Sequence, residues 1–168
     1  MKIGLISDTH SFWDDRIPDY FKECDEIWHA GDVGETGEII EKLNQIAPTL
    51  VVYGNIDTPE FQREYPENLF MEKAGAKIFM THIGGKPPSY NLRVRKLIQS
   101  EKPDVFICGH SHILRAMPDK KRNNLLYLNP GAAGNQGFHK IRTMMRFEIN
   151  NGKVEKLEVI ELGKRGDS

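Results

Sequence analysis

The chain has 168 residues, 39% hydrophobic and 28% charged, a length and balance that suit one globular domain with its own buried core. Its formal net charge of -1 excludes the strong field that would make nucleic acid or an anionic membrane an obligate partner. A small phosphate-bearing ligand stays open, because bound cations add local positive charge that a residue count omits.

Cys24 and Cys108 are too few for a disulfide framework and show no C-x-x-C spacing. The apolar stretch near Met1 meets Asp8 too soon to form a signal-peptide core, and no run of eighteen apolar residues exists to span a membrane. The expectation is a reduced, cytoplasmic protein, with a homo-oligomer left open.

In chain order, Lys2 to Ser7 reads as a buried strand and Pro18 to Cys24 as a short helix. Asp25 to Ala30 reads as a second strand, halted by Gly31. Ile39, Ile40, Leu43 and Ile46 then recur at helical spacing, and Pro48 closes that helix. Leu50 to Tyr53 is a β-branched strand ended by Gly54. Leu69–Lys73 and Lys77–Thr81 predict a hairpin around Gly75, followed by a helix over Leu92–Gln99 with Leu92, Leu97 and Ile98 as core contacts. Val105–Cys108 is a strand stopped by Gly109. Leu125–Leu128, Thr143–Ile149 and Val154–Ile160 are late strands, the last two joined at Asn151-Gly152, a type I′ turn signal. Strands alternate with helices early and dominate late. That pattern predicts an α/β fold, a two-sheet β-sandwich flanked by helices in four αββα layers. Residues 1–163 are expected to form the domain and 164–168 a frayed tail.

The chemistry stands at the strand ends. Asp8 and His10 follow the first strand, Gly31-Asp32 the second and Gly54-Asn55-Ile56-Asp57 the third. His82 follows the Lys77–Thr81 strand, and Gly109-His110-Ser111-His112 follows Val105–Cys108. Ligands of α/β sheets collect at the carboxyl edge, so five strand ends would bring seven metal-competent side chains to one rim. Mixed imidazole and carboxylate ligands suit Mn, Fe, Co, Ni or Zn better than Mg or Ca. A carboxylate has lone pairs enough to bridge two cations, and an Asn amide oxygen ligates without adding charge. Gly31, Gly54 and Gly109 allow tight turns and close backbone approach. Singly, each signal has an ordinary structural reading: D-x-H in a loop, Asn55-Ile56-Asp57 as an Asx-turn, His82 as a satisfied polar residue. Their joint occurrence in order points to a site.

In that order the residues resemble the calcineurin-like metallophosphoesterases, whose series D-x-H, G-D-x-x, G-N-x-D/E, H and G-H-x-H spans most of this chain. The short length, His29-Ala30-Gly31-Asp32 and Asn129-Pro130-Gly131 resemble the small bacterial and archaeal phosphodiesterase branch, which also includes the retromer subunit of the same fold. The resemblance implies one divalent metal on Asp8, His10, Asp32 and His112, and a second on Asp32, Asn55, His82 and His110. Manganese leads, with Fe, Ni, Co or Zn as alternatives. It further implies Asn55, His82 and Asp57 as catalytic residues and a hydroxide between the metals as the nucleophile, with a phosphodiester as the first expected substrate.

One departure stands out. Many members carry His directly after the motif Asn, where this chain has Ile56, which donates no proton. The expected consequences are modest turnover and a preference for good leaving groups. A catalytically weak protein-binding scaffold is the alternative function; a nuclease lacks a basic groove or an aromatic stacking series. His29 is expected to brace the site rather than ligate. His139 reads either as pocket-lining or as part of a flexible surface loop, and Asp57 as orienting a ligand or capping the next helix. Phe12 and Trp13 read as pocket wall or core, and Arg93, Arg95 and Lys96 as solvated surface.

Overall fold

The computed structural model describes residues 1–166. Its first half runs β1 (Lys2–Ile6), α1 (Ile17–Phe21), β2 (Glu26–His29), α2 (Glu38–Asn44), β3 (Thr49–Val51), α3 (Pro59–Glu64), β4 (Asn68–Lys73) and β5 (Ala76–Thr81). There follow β6 (Gly85–Lys86), β7 (Ser89–Tyr90), α4 (Leu92–Glu101), β8 (Val105–Ile107), β9 (Arg115–Asp119), β10 (Leu125–Asn129), β11 (Ile141–Asn150) and β12 (Lys153–Lys164). Two five-stranded sheets form, β12-β11-β1-β2-β3 and β4-β5-β8-β10-β9. Each contains three parallel strands: β1, β2 and β3 in the first, where β3 forms the edge, and β5, β8 and β10 at the centre of the second. Antiparallel β11 and β12 extend the first sheet beyond β1, and antiparallel β4 and β9 flank the second on both sides. The expected four-layer α/β sandwich is therefore the fold.

Three apolar clusters account for the layers. Ile3, Leu5 and Trp28 of the first sheet meet Ile78, Met80, Val105 and Ile107 of the second. The opposite faces pack on helices. Ile6, Ile27 and Met144 cover Phe21, Ile40, Leu43 and Phe61, while Phe79, Phe106 and Tyr127 cover Val94 and Ile98 of α4. Leu5 and Ile6 are neighbours on β1 yet enter different clusters, because successive strand side chains point to opposite faces.

Some local expectations are revised. Leu92 is 57% exposed, and α4 buries Val94 and Ile98, one helical turn apart. Asn91 caps this helix, its side chain accepting from the Val94 N–H, so Leu92 falls on the outer face. Helix α3 begins at an unheralded Thr58-Pro59 pair, a capping side chain followed by Pro at the first helical position. Strand β9 and the β6–β7 hairpin are further additions. Asn151 and Gly152 both have positive φ, as a type I′ turn requires. The tail expected over 164–168 begins inside β12, since Lys164 ends that strand. The Arg165 N–H donates to Lys140 O and the Gly166 N–H to Asn135 Oδ1; the rest of that segment, Asp167 and Ser168, lies outside the described residues.

A buried ion pair ties the chain's two ends together. Arg142 on β11, 1% exposed, donates to Asp14 Oδ2 at 2.6 Å and to Leu162 O at 2.8 Å, and lies over the Phe12 ring. Arg16 grips the same carboxylate through Nε and Nη2. Trp13 packs on the helix-side core, so Phe12 and Trp13 serve packing. Hydrogen bonds from Arg16 outweigh burial and, with Arg142, hold the Asp14 carboxyl well below the usual range. Asp14→Ala removes the carboxylate that Arg142 and Arg16 share and is expected to cost about 1.5–3 kcal/mol in urea unfolding, the usual range for hydrogen bonds to charged groups. Because the folded pKa is the lower one, Asp14's contribution is full above its ordinary value near 3.8 and lost as pH falls toward the folded value. The stability gap between wild type and variant should therefore close below about pH 4.

Candidate metal centre

The loops after β1, β2, β3, β5 and β8 meet at one rim, and unusual backbone shapes it. Asp8, His10, Asp32, His110 and His112 all have positive φ, from 47° to 64°. Asp and His tolerate the left-handed region better than most residues, but each still costs on the order of 1 kcal/mol. Hydrogen bonds enforce it: the Asp8 N–H donates to Gly31 O, His10 N–H to Asp32 O, Gly109 N–H to His82 O and Gly134 N–H to Asp8 O. The glycines expected to allow close approach do so. A Cβ on Gly54 would collide with the Asp32 carboxylate, one on Gly109 with Ser7 Oγ and Asp8, and one on Gly31 with the His82 ring.

The side chains form two groups suited to hold a metal, Asp8 with His10 and His112, and Asp32 with His82 and His110. Asp32 Oδ2 joins them, 3.1 Å from His82 Nε2 and 3.8 Å from His10 Nε2. Asp8 Oδ1 lies 3.1 Å from His112 Nε2 and 3.9 Å from His82 Nε2. Asn55 is exposed and shares with His82 the wall of a pocket of about 140 Å³. Asp8 Oδ1, His10 Nε2 and His82 Nε2 are buried without a hydrogen-bond partner. The far oxygens are occupied: Ser7 Oγ and the His110 N–H donate to Asp8 Oδ2, and the Ile56 N–H donates to Asp32 Oδ1.

Tautomers sharpen the fit. His82 Nδ1 lies 2.7 Å from Ala30 O, which only accepts, so Nδ1 carries the proton. His139 Nε2 donates likewise to Gly134 O at 2.9 Å, leaving its Nδ1 to accept from His112 Nδ1 at 3.1 Å. In the neutral rings the Nε2 lone pairs of His82 and His112 then face carboxylate oxygens at 3.1 Å. Acceptor facing acceptor is repulsive unless a metal cation or a ring proton stands between them. Burial opposes a charged His82, yet Asp32 and Asp8 outweigh it and hold its pKa above the ordinary value. Burial likewise works against the Asp32 carboxylate, and His82 more than compensates, lowering its pKa. The donor set thus fits divalent ions of the kind that imidazole and carboxylate share.

The calcineurin-like phosphoesterase superfamily domain model matches residues 1–152. The chain belongs to that superfamily. Solved structures of the same fold include an archaeal phosphodiesterase, 23% identical, with a TM-score of 0.72, 96% of this chain and 100% of that one covered. A Thermotoga maritima protein is 26% identical at a TM-score of 0.71, with 96% and 99% covered. Vps29 of Entamoeba histolytica, in a structure complexed with zinc, is 20% identical at a TM-score of 0.70, again with 96% and 99% covered. No curated protein matches the chain.

Around this superfamily site stands a shell of braces. His29 is fully buried; its Nδ1 accepts from the Gly31 N–H, and its Nε2–H reaches Thr9 Oγ1, which donates on to Val33 O. Burial pushes its pKa down to about 3, so the ring stays neutral as this chain of bonds requires. Asp57 is 3% exposed and spends both oxygens on the Gly34 and Gly54 N–H groups. It clamps two loops together and is a positioning residue rather than one that faces the cluster. Buried Asn129 holds the Gly109–His112 turn through Gly109 O and Ser111 Oγ. Arg93 is no idle surface charge: it bonds Thr81 Oγ1 and Ile83 O beside His82 and pairs with Glu67, whereas Arg95 and Lys96 are exposed.

His139 is the residue whose role was least visible beforehand, since its partner lies 27 positions away. Gly137 makes the contact feasible, because a Cβ there would collide with the His112 ring. His139→Ala is expected to keep the fold and weaken divalent-ion binding by about tenfold or more in calorimetric titration, the usual cost of losing such a partner. Gly54→Ala should do greater damage, lowering both ion affinity and thermal midpoint, because Asp32 itself must move.

Proposed function

We propose that the chain is a metal-dependent phosphodiesterase. Asp8, His10, Asp32, Asn55, His82, His110 and His112 would hold two divalent ions, with Asp32 placed to serve both and manganese the leading candidate. The observation that carries this reading is the convergence of Asp8 Oδ1, His10 Nε2 and His82 Nε2, all buried without a hydrogen-bond partner, on the same point as Asp32 Oδ2 and His112 Nε2, a donor set that a divalent cation satisfies at once. Such ions would activate a water for attack by lowering its pKa and would neutralise phosphate oxygens.

The chain's own groups supply the rest. His29, Asp57 and Asn129 hold the loops at fixed spacing, and phosphoryl transfer depends chiefly on positioning and charge. The Asn55 amide oxygen completes the donor set and adds no charge that would oppose an anionic substrate. Ile56 is 41% exposed and contributes its backbone N–H to Asp32, while its side chain has no proton to give. The leaving alcohol must therefore depart as its oxyanion or take a proton from solvent. That favours aryl over alkyl esters, and it also gives the scaffold alternative its best support. A cytoplasmic setting suits two reduced thiols, Cys24 and Cys108, whose pKa values burial pushes up to about 11 and about 12. Among the described residues no helix is long and apolar enough to cross a membrane.

Protein loaded with manganese should hydrolyse aryl phosphodiesters, and Asp32→Ala should reduce kcat/KM to background while retaining the fold by circular dichroism. Tight binding of two ions without turnover of any phosphate ester would instead select the scaffold. Across a series of aryl esters the rate should fall steeply as leaving-group pKa rises. Ile56→His should flatten that slope; a flat wild-type slope would contradict the assigned consequence of Ile56.

A further inference from the structure

A second pocket adjoins the metal centre on the side of His110. It measures about 320 Å³ and is bounded by Gly109, His110 and Ser111 on one side and by the β6–β7 hairpin on the other. Tyr127 Oη donates to Gly85 O at 3.2 Å and the Asn91 N–H to Gly84 O at 3.1 Å, so this wall is fixed to β10 and α4. Gly84 and Gly85 let the hairpin seat closely on the sheet beneath it: a Cβ on Gly84 would meet Phe106 of the core at 2.5 Å, and Gly85 has φ of 77°. Volume and a preformed wall are those of a small-molecule subsite.

Its charge is one-sided. Lys86 on the hairpin and Arg115 on β9 line it, with no Asp or Glu among its bounding residues. Neither cation takes part in an ion pair among the described residues, whereas Arg16, Arg63, Arg93, Arg122, Arg142 and Arg146 all do. Two unneutralised cations lining a largely apolar pocket, one wall of which is a candidate metal ligand, call for an anion. A substrate phosphate at the metals would place whatever it is esterified to within reach of this pocket.

We propose that the pocket beside His110 is a subsite for a second anionic group, so that the preferred substrate is a phosphodiester whose leaving alcohol carries a carboxylate or a further phosphate. Lys86 and Arg115 are the specificity-determining residues. The inference rests on the phosphodiesterase reading above. In the reaction, the oxygen of water forms a bond to phosphorus as the P–O bond to the alcohol breaks. The alcohol leaves with that electron pair and is protonated by solvent, and its distant anionic group stays unchanged.

The test compares methyl 4-carboxyphenyl phosphate with the same diester in which the carboxylate is capped as its methyl ester. Both are measured on metal-loaded wild type and on Lys86→Met/Arg115→Met. The ratio of kcat/KM, charged over capped, is expected to be about tenfold lower in the variant, a modest value for charge-assisted hydrogen bonds. Turnover of the capped ester should stay within about twofold, which shows that the variant is folded and its metal centre intact. Comparing ratios cancels the difference in leaving-group acidity between the two esters. An unchanged ratio would overturn the proposal. If neither ester is hydrolysed by any metal form, the phosphodiesterase reading fails, and calorimetric titration with inorganic pyrophosphate scores the pocket separately. About tenfold weaker binding to the double variant supports the subsite, and equal binding overturns it.

Discussion

Asp8 Oδ1, His10 Nε2 and His82 Nε2 are buried, polar and unpartnered, and they converge on the same few ångströms as Asp32 Oδ2 and His112 Nε2. Unsatisfied groups of this kind cost about 1–3 kcal/mol each, more when charged, and folded proteins rarely collect several at one point. Much of the architecture is arranged to keep them there. Parallel strands from two sheets end at one rim, five of the converging residues hold left-handed backbone, and glycines remove the Cβ atoms that would push the loops apart. Stability is given up locally so that a cation finds its ligands already in place, which is the usual relation between strain and function.

The layer outside the ligands explains how such an arrangement persists. Four of the inward-pointing groups have their other end tied down: Asp8 through Ser7 and the His110 N–H, Asp32 through the Ile56 N–H, His82 through Ala30 O, His112 through His139. These bonds fix ring tautomers as well as positions, and the tautomer decides whether a lone pair or a proton faces the centre. Asp57 and His29 act one step further out by binding backbone N–H groups and hydroxyls between neighbouring loops. Family membership alone would give none of these particulars. They follow from which donors and acceptors the chain places within reach.

The ligand series was legible in the sequence because each member directly follows an apolar strand, and because Gly31, Gly54 and Gly109 mark where backbone must pass close to a side chain. The two-sheet layering was legible for the same reason, in alternating strands and helices whose apolar faces had to be covered. Other features had no local signature. His139 reaches His112 from a loop that reads equally as pocket-lining or as flexible surface, and Arg142 is buried against Asp14 across 128 positions of sequence. Arg93 looked like solvated surface until its long side chain was seen to reach Thr81 and the Ile83 carbonyl. Leu92 was misplaced because its apolar character was read without its position: one residue past the Asn91 cap, it falls opposite the face that buries Val94 and Ile98. Local patterns predicted elements and ligands; long-range polar partners emerged only with the fold.

The central claim is that these seven side chains form one divalent-metal centre with Asp32 common to both halves. Anomalous diffraction from crystals grown with manganese tests it most directly. Two peaks are expected, one contacting Asp8, His10 and His112, the other Asn55, His82 and His110, with Asp32 touching both. Peaks elsewhere, or ordered side chains at this rim with no ion between them, would contradict it.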